Sequence, residues 1–319
     1  MNKADLSQAS RWWIAGAACL WAVAVPQAEV DRRAEQVQAQ PPGLYLGQTP
    51  PGTKPEVFAP GIVSTDGHEF ACSFTPDGRE FYFTRRAAGA VPTLIMVSRL
   101  VNGAWTQPAS APFNDAPGQM SFEPQVTPNG RRLYFQSDRP LPDQAEPGGM
   151  PTLNIWYVER KGDTWSNPRQ AGPPFNPMRA MYVTMTNAGT VYTTDISGGM
   201  GTERIAVARL ANGAYKELEP LGPPVNVGAG NMSPYVAPDE TSLVFVKRLG
   251  RPGDTGLFVS LRQPDGSWAE PRAIDLGMRA GTPTVSPDGR YLFFSGGDRT
   301  KGDIYWVSAS VLGLPARQP

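Results

Sequence analysis

The chain has 319 residues, and its 29 lysines and arginines balance its 29 aspartates and glutamates, so the formal net charge is zero. This balance argues against nucleic acid or an anionic membrane surface as the main partner, because both require a local excess of Lys and Arg. With 34 glycines, 34 prolines and a single histidine, His68, the composition favours short strands joined by turns and excludes a metal centre built from several histidines.

The first residues have the pattern of an export signal. Two basic residues precede an apolar run over residues 12–25, which is shorter than the roughly 20 residues of a membrane span, and residues 22–24 (Ala-Val-Ala) fit a cleavage site. We therefore predict a signal peptide over residues 1–24, with an uncleaved membrane anchor as the alternative. Residues 25–54 are rich in Gln, Pro and Gly and are predicted to form a flexible linker. We expect the mature protein to be periplasmic or secreted, with no stable membrane span after cleavage.

Five segments of the chain share one pattern, in which an apolar alternation leads into a Pro-Asp-Gly type of turn and a second apolar alternation leads out of it. Proline presets φ, aspartate caps the turn and glycine adopts positive φ at little cost, so each segment predicts a β-hairpin. The third copy lacks the proline and the fourth has a glutamate in place of the glycine, so we expect looser turns there. The fourth residues of the five turns are Gly78, Gly130, Gly189, Glu240 and Gly289.

A third strand follows every hairpin, and in four copies it is followed by a second turn, one aromatic residue and a fourth strand. The Asn-Gly and Asp-Gly pairs in these second turns are strong hairpin signals. Four antiparallel strands in about 50 residues make up the blade of a β-propeller. We expect the recurring aromatic residues to pack between blades, with a role as sugar platforms as the less favoured alternative. These residues are Trp105, Trp165, Tyr215 and Trp268.

The fifth copy ends after its third strand, but the chain contains a spare strand before the first hairpin. Residues 55–61 resemble the fourth strands of the other copies and precede the first hairpin as those strands precede the next one. We therefore predict an all-β fold, a five-bladed β-propeller over residues 55–312 that is closed by an N-terminal strand completing the last blade. In this arrangement Val57 and Phe58 lie alongside Tyr305 and Trp306, and residues 313–319 form a C-terminal tail.

Several short motifs carry a family resemblance. They are the Pro-Asp-Gly hairpins, residues 137–139 (Ser-Asp-Arg) after the second hairpin, and the openings of two third strands at 154–156 (Asn-Ile-Trp) and 303–305 (Asp-Ile-Tyr). With these motifs the chain resembles the WD40-like PD40 β-propeller family, which is related to the TolB propeller. The resemblance covers roughly 250 residues and implies the fold without specifying a function. Peptidases that carry such propellers also carry a hydrolase domain, whereas this chain shows no Gly-x-Ser-x-Gly motif.

The repeat places a set of polar side chains around one end of the central channel. In a propeller of this kind, the inner strands begin and the second strands end on the face opposite the Pro-Asp-Gly turns, and we expect a ligand site at that mouth. A mixed ring of acids and bases suits a neutral polar or zwitterionic ligand, such as a glycan or a peptide segment. The alternative is that these groups only pair with one another. The candidate ligand-binding residues are His68, Glu69, Arg85, Arg86, Glu123, Asp138, Arg139, Tyr182, Asp195, Lys247, Arg248, Asp298 and Arg299.

The leading hypothesis is a non-catalytic binding or scaffold module for a protein or glycan ligand at the channel mouth. The first alternative is a carbohydrate-active hydrolase, by analogy with five-bladed glycosidases, in which Glu69 and Glu123 would be the two carboxyl groups that hydrolysis requires. The second alternative is a purely structural subunit with no ligand site. Calcium ligation by Asp138, Asp195 and Asp298 has weaker support, and we expect a monomer with no metal and no cofactor.

Overall fold

The computed structural model describes residues 45–87, 92–115, 118–142, 153–177, 179–199, 201–228, 230–250, 253–297 and 301–314. The predicted signal peptide, the predicted linker up to residue 44 and the tail from residue 315 lie outside these ranges, as do the candidate residues Asp298 and Arg299. The described elements are β-strands and two short 3-10 helices, Tyr45–Gly47 and Ala309–Leu312. Among the described residues, no helix has the length and apolar character needed to cross a membrane.

Antiparallel sheets form the first four blades of the ring. In each sheet, the strands follow one another in chain order from the channel outwards. Blade 1 contains His68–Phe74, Glu80–Arg86, Leu94–Val101, Ala104–Trp105 and Ala109–Ser110. Blade 2 contains Ser121–Val126, Arg132–Ser137, Asn154–Lys161, Thr164–Trp165 and Arg169–Gln170. Blade 3 contains Ala180–Met185, Val191–Asp195, Arg204–Ala208 and Glu219–Pro220, beside the two-stranded ladder of Leu210–Ala211 and Ala214–Tyr215. Blade 4 contains Asn231–Val236, Ser242–Arg248, Thr255–Leu261 and Arg272–Ile274.

The fifth blade is built from both ends of the propeller sequence. Val57 is paired with Tyr305, and the Phe58 amide donates to the Ile304 carbonyl at 2.8 Å. Phe58 is fully buried and packs edge-to-face against Phe293. The predicted closure by an N-terminal strand is therefore confirmed, and the count of five blades with it. The strands of this blade are Ala280–Val285, Tyr291–Gly297, Gly302–Ser308 and Glu56–Val57.

The hydrophobic core consists of five clusters, each lying between two neighbouring blades. The recurring aromatic residues belong to these clusters. The Trp165 indole donates to the Tyr82 hydroxyl at 2.7 Å across blades 1 and 2, and Trp268 meets Tyr192 edge-to-face across blades 3 and 4. This confirms the prediction that they pack between blades, where a buried aromatic ring contributes both area and a defined orientation.

The turns at the lower face, which carries the Pro-Asp-Gly sequences, are closed by the same backbone hydrogen bond in all five blades. In the first turn the Asp77 carboxylate accepts a hydrogen bond from the Thr75 hydroxyl at 2.6 Å. The backbone hydrogen bond that closes the third turn is 2.9 Å long and that of the fourth is 2.8 Å, against 2.8 Å in the first. The expectation of looser turns is therefore wrong. Glu240 adopts a φ of 60° in the place of glycine, and its carboxylate accepts a hydrogen bond from the Tyr192 hydroxyl.

Every inner strand carries a bulge at the same level of the channel. At each bulge the register with the second strand shifts, and one non-glycine residue has a φ between 40° and 56°, in the left-handed region. Hydroxyls of the preceding blade hold two of these residues, since Thr84 accepts from the Glu123 amide at 2.9 Å and Thr194 from the Ser233 amide at 2.8 Å. A bulge re-aims the side chains around it, so it decides what lines the channel. The bulge residues are Ala71, Glu123, Tyr182, Ser233 and Thr282.

Candidate functional site

Tyr182 divides the central channel. Its side chain extends from the inner strand of blade 3 to that of blade 5, where its hydroxyl donates to the Pro283 carbonyl at 2.7 Å. Because Tyr182 is only 1% exposed, the prediction that it lines the mouth is corrected: it lies inside the channel, and burial raises its pKa well above the usual value. The two ends of the channel hold separate cavities with no lining residue in common.

The cavity at the lower face is formed by the ends of all five inner strands and has a volume of about 170 Å3. Polar side chains such as Gln125 and Thr184 share its wall with apolar ones such as Val126 and Val285. In the described part of the chain, no charged side chain lines it. The predicted ligand site lies at the opposite face, so this cavity was not predicted. The proline that recurs in four of the five turns was the available signal, since these prolines form its rim.

The upper mouth, on the opposite face, is surrounded by apolar side chains. The residue that precedes the bulge is half-buried in every blade and is large and apolar in four of them. The rings of Phe70 and Phe122 lie 6.3 Å apart on adjacent blades. We call this set the apolar collar, and its four large members are Phe70, Phe122, Met181 and Met232.

In blade 5 the residue that precedes the bulge is a glycine, and a cavity lies beside it. Gly281 is the equivalent residue, and the cavity beside it has a volume of about 240 Å3. Phe70 and Met232 line this cavity together with the bulge residues Ser233 and Thr282 and with the cationic side chain of Arg279, so apolar and polar groups share its wall. This cavity lies at the face for which the sequence predicted a ligand site, and the ligand site itself stays a prediction. The collar was missed because the bulge that re-aims these side chains has no evident sequence signal.

Most of the predicted charged residues are bound to partners within the protein, and Glu69 is the first example. Its carboxylate is fully buried, forms a salt bridge with Arg85 at 2.8 Å and accepts from the Thr65 hydroxyl at 2.6 Å. Arg85 also donates to the carbonyls of Ile62 and Val63. This cluster fixes the segment after the closing strand to blade 1, which is a structural role.

Asp138 and Arg139 are similarly engaged in blade 2. The Asp138 carboxylate accepts from the Met120 amide at 2.7 Å. Arg139 is buried, donates to the Phe113 carbonyl at 2.9 Å, and pairs with Asp115 at 2.5 Å. A buried guanidinium held in this way orders the loops of the blade.

Blades 3 and 4 show the same behaviour. Arg204 binds Asp195 at 2.7 Å, and Arg248 binds Glu203 at 2.7 Å. Burial acts to raise the pKa of Asp195, but hydrogen bonds from Ser197 and Arg204 outweigh it and lower the pKa. In blade 4, the ammonium group of Lys247 lies 5.2 Å from the centre of the Phe258 ring.

His68 lines the upper cavity, and Arg86 is its partner in the strand pairing of blade 1. His68 Nδ1 accepts a hydrogen bond from the Gly302 amide at 2.8 Å, which joins blade 1 to blade 5. Burial lowers the pKa of His68, and the charge of Arg86 acts in the same direction. A neutral imidazole fits its role as an acceptor. Arg86 is exposed and faces the solvent.

Glu123 differs from the other predicted acids. It is a bulge residue, 9% exposed, and one of its carboxylate oxygens accepts a hydrogen bond from the Gln136 side-chain amide. Burial raises the pKa of Glu123 to about 7, opposed by the Gln136 hydrogen bond. The oxygen of the Gln136 amide is buried and has no hydrogen-bond partner in the described structure. Glu69 and Glu123 therefore have different partners and different surroundings.

Metal ligation finds no geometric support in the described residues, where no three His, Cys, Asp or Glu side chains are grouped so as to hold an ion.

Comparison with known proteins finds only distant structural similarity. No family model and no curated protein matches the chain. Among solved structures, TolB from Acinetobacter baumannii is 14% identical with a TM-score of 0.49, and the match covers 79% of this chain and 54% of the TolB chain. A prolyl endopeptidase is 13% identical with a TM-score of 0.39, and the match covers 80% of this chain and 33% of the peptidase chain. The Dos1 propeller is 10% identical with a TM-score of 0.38, and the match covers 77% of this chain and 70% of the Dos1 chain.

These similarities are too distant to carry an argument about activity. The chain spans about half the length of TolB and a third of the peptidase. Its assignment as a five-bladed β-propeller rests on its own strand pairing, and its membership of the PD40 repeat family stays a prediction.

Proposed function

We propose that the protein is a non-catalytic binding or scaffold module that holds a segment of a protein partner at the upper mouth of its channel. The observation that carries this proposal is the cavity of about 240 Å3 at the upper mouth, where Phe70 and Met232 of the apolar collar share the wall with polar groups. Apolar walls with a few polar groups are typical of binding sites. Methionines such as Met181 and Met232 adapt to varied ligand shapes, which suits a peptide better than a glycan.

Hydrolysis has less support. An acid or nucleophile must touch its substrate, whereas Glu69 is fully buried and already bound to Arg85. Glu123 alone lacks the second carboxyl group that glycoside hydrolysis requires.

We also propose that the protein acts in the periplasm or outside the cell. The support is the pattern of residues 1–24, in which basic residues precede a short apolar run and a small-residue cleavage site. Fractionation of cells expressing the full chain tests this. A product shortened at its N-terminus in the periplasm or medium is expected, and an unshortened cytoplasmic product would contradict it.

The mouth site is tested with peptides selected from a displayed library on the folded protein. Peptides that bind the mouth should lose at least tenfold in affinity for a Met232→Asp variant, because a charge would then stand in the apolar collar. The matched control is Leu210→Asp, which places the same charge on an exposed leucine outside the mouth. If every selected peptide binds Met232→Asp as well as the native protein, the mouth is not the binding site.

A further inference from the structure

We propose that the upper cavity binds a carboxylate group of the partner segment, with Arg279 supplying the positive charge and His68 and Ser295 donating hydrogen bonds. All three residues line this cavity of about 240 Å3. The inference rests on the proposed function, because it requires that the mouth binds a partner. It assigns a chemical class to the part of the partner that enters the cavity, which the propeller fold alone does not.

Arg279 brings a positive charge that the protein itself does not neutralise. The residue is exposed, and its Nε donates to the Gly253 carbonyl at 3.0 Å, which holds the guanidinium in place. Among the residues that the structure describes, no aspartate or glutamate forms a salt bridge with it. Arg204 and Arg248, by contrast, are each bound to an acid. The terminal nitrogens of Arg279 are therefore available to an anionic ligand.

His68 provides a donor of defined tautomer. The Gly302 amide donates to its Nδ1 at 2.8 Å, so the proton of the neutral imidazole lies on Nε2. Burial favours this neutral form by lowering the pKa of His68. No group in the described structure accepts a hydrogen bond from Nε2. Glycine at 302 is what lets the amide approach the ring, because a Cβ there would lie 2.7 Å from Cε1 of His68.

Ser295 ends a chain of hydrogen bonds and keeps its own proton available. The Ala71 amide donates to the Thr282 hydroxyl at 3.2 Å, and the Thr282 hydroxyl donates to the Ser295 hydroxyl at 2.9 Å. No described group accepts from Ser295 in turn. Gly281 is its partner in the strand pairing, and a Cβ at 281 would lie 3.0 Å from the Ser295 oxygen. The glycine of blade 5 therefore leaves this hydroxyl open to the cavity.

The charge of the wall selects an anion. In the described part of the chain, no acidic side chain lines this cavity. Two acids act electrostatically on His68 from outside it. Glu69 is neutralised by its salt bridge with Arg85, and Asp303 lines a different cavity. An anionic group that enters therefore meets a cation and hydrogen-bond donors and no acid of the wall.

A carboxylate fits this wall better than an inorganic anion does. Phe70 and Met232 offer apolar surface, which an organic ligand can cover with the carbon atoms next to its charge. The two oxygens of a carboxylate match the fork of a guanidinium and can still accept from a hydroxyl or an imidazole. Phosphate carries more than one negative charge near neutral pH, whereas Arg279 is the one cationic side chain among the described residues that line the cavity.

The test titrates small probes into the whole protein with 13C-methyl-labelled methionines and follows the NMR signal of Met232, which lines the cavity. N-acetyl-leucine carries a terminal carboxylate, and N-acetyl-leucinamide is its neutral counterpart. Nα-acetyl-glutamic acid α-methylamide carries only a side-chain carboxylate, and the glutamine analogue is its neutral counterpart. At pH 7 at least one carboxylate probe should bind tenfold or more tightly than its counterpart. The stronger of the two shows whether the group comes from a chain terminus or from an acidic side chain.

Variants tie the preference to the assigned residues. Arg279→Gln should remove at least tenfold of the preference for the carboxylate and leave the affinity for the neutral probes unchanged. Ser295→Ala should reduce the preference about threefold, as expected for the loss of one hydrogen bond. The matched control is Arg169→Gln, which removes the same charge from an exposed arginine of the outer strand of blade 2 and should change neither affinity.

Three outcomes would overturn the inference. Equal binding of each carboxylate probe and its neutral counterpart would leave the mouth as an apolar site without a carboxylate position. Inorganic phosphate that binds as tightly as the carboxylate probes would replace the assignment by a general anion site. Binding of no probe would also overturn it. The proposed function is judged separately, because the loss of affinity of selected peptides for Met232→Asp does not depend on a carboxylate.

Discussion

Replacing Glu123 with glutamine should stabilise the protein, and only at pH values where the native carboxyl group is ionised. The folded protein raises the pKa of Glu123 from 4.5 to about 7, because burial disfavours the charged form. Ionising it in the folded state therefore costs about 3 kcal/mol more than in the unfolded chain. Between these two pKa values the folded state holds a proton that the unfolded state has lost, so stability falls as the pH rises from about 4.5 to about 7.

The measurement is urea unfolding of the native protein and of Glu123→Gln at a series of pH values from 4 to 8. The difference in free energy of unfolding should be close to zero at pH 4 and grow to about 3 kcal/mol in favour of the variant at pH 8. Comparing the two proteins at each pH removes the contributions of all other titrating groups. A difference that is the same at every pH would refute the reasoning, because an uncompensated buried charge must produce this dependence.

Further substitutions test the other assignments. Glu69→Gln should destabilise the protein by about 3 kcal/mol at pH 7, because it leaves Arg85 without its buried partner; an unchanged unfolding midpoint would contradict the structural role. Phe58→Ala should lower the free energy of unfolding by about 3–5 kcal/mol, measured in the same way, because it leaves a cavity in the core between blades 1 and 5. Trp165→Phe should cost about 1 kcal/mol through loss of the hydrogen bond to Tyr82, whereas a cost near zero would show that this bond is not stabilising. Chromogenic glucosides and arabinosides should not be turned over, and turnover that disappears in Glu123→Gln would favour the hydrolase.

The sequence was sufficient to predict the ring and its closure. Pro-Asp-Gly turns and alternating apolar residues are local signals, and the missing fourth strand of the last copy could be matched to residues 55–61 because both belong to one repeat. The local error concerns the third and fourth turns, of which the turn at Glu240 has a clear explanation. A neighbouring blade holds that residue through the Tyr192 hydroxyl, and such a contact cannot be read from the turn itself.

The site was harder to predict than the fold. The repeat predicted charged residues at the upper face, but it could not show that partners such as Arg204 and Asp115 already bind Asp195 and Arg139. Asp115 lies 24 residues from Arg139 along the chain, and Arg204 meets Asp195 only through the pairing of two strands. Nor could alternation alone reveal the bulge that turns Tyr182 into the channel, because a bulge breaks the two-residue period on which the prediction relied.

The pairing of the segment at Val57 with the third strand of blade 5 protects an edge of that sheet. A chain cleaved between the closing strand and blade 1 would leave the Ile304 carbonyl, which now accepts from Phe58, on an uncovered margin of the fifth sheet. Such a margin is a template for any extended polypeptide, including the released segment of a neighbouring molecule. Proteolytic nicking here would therefore convert a self-contained ring into one that exchanges strands with its copies.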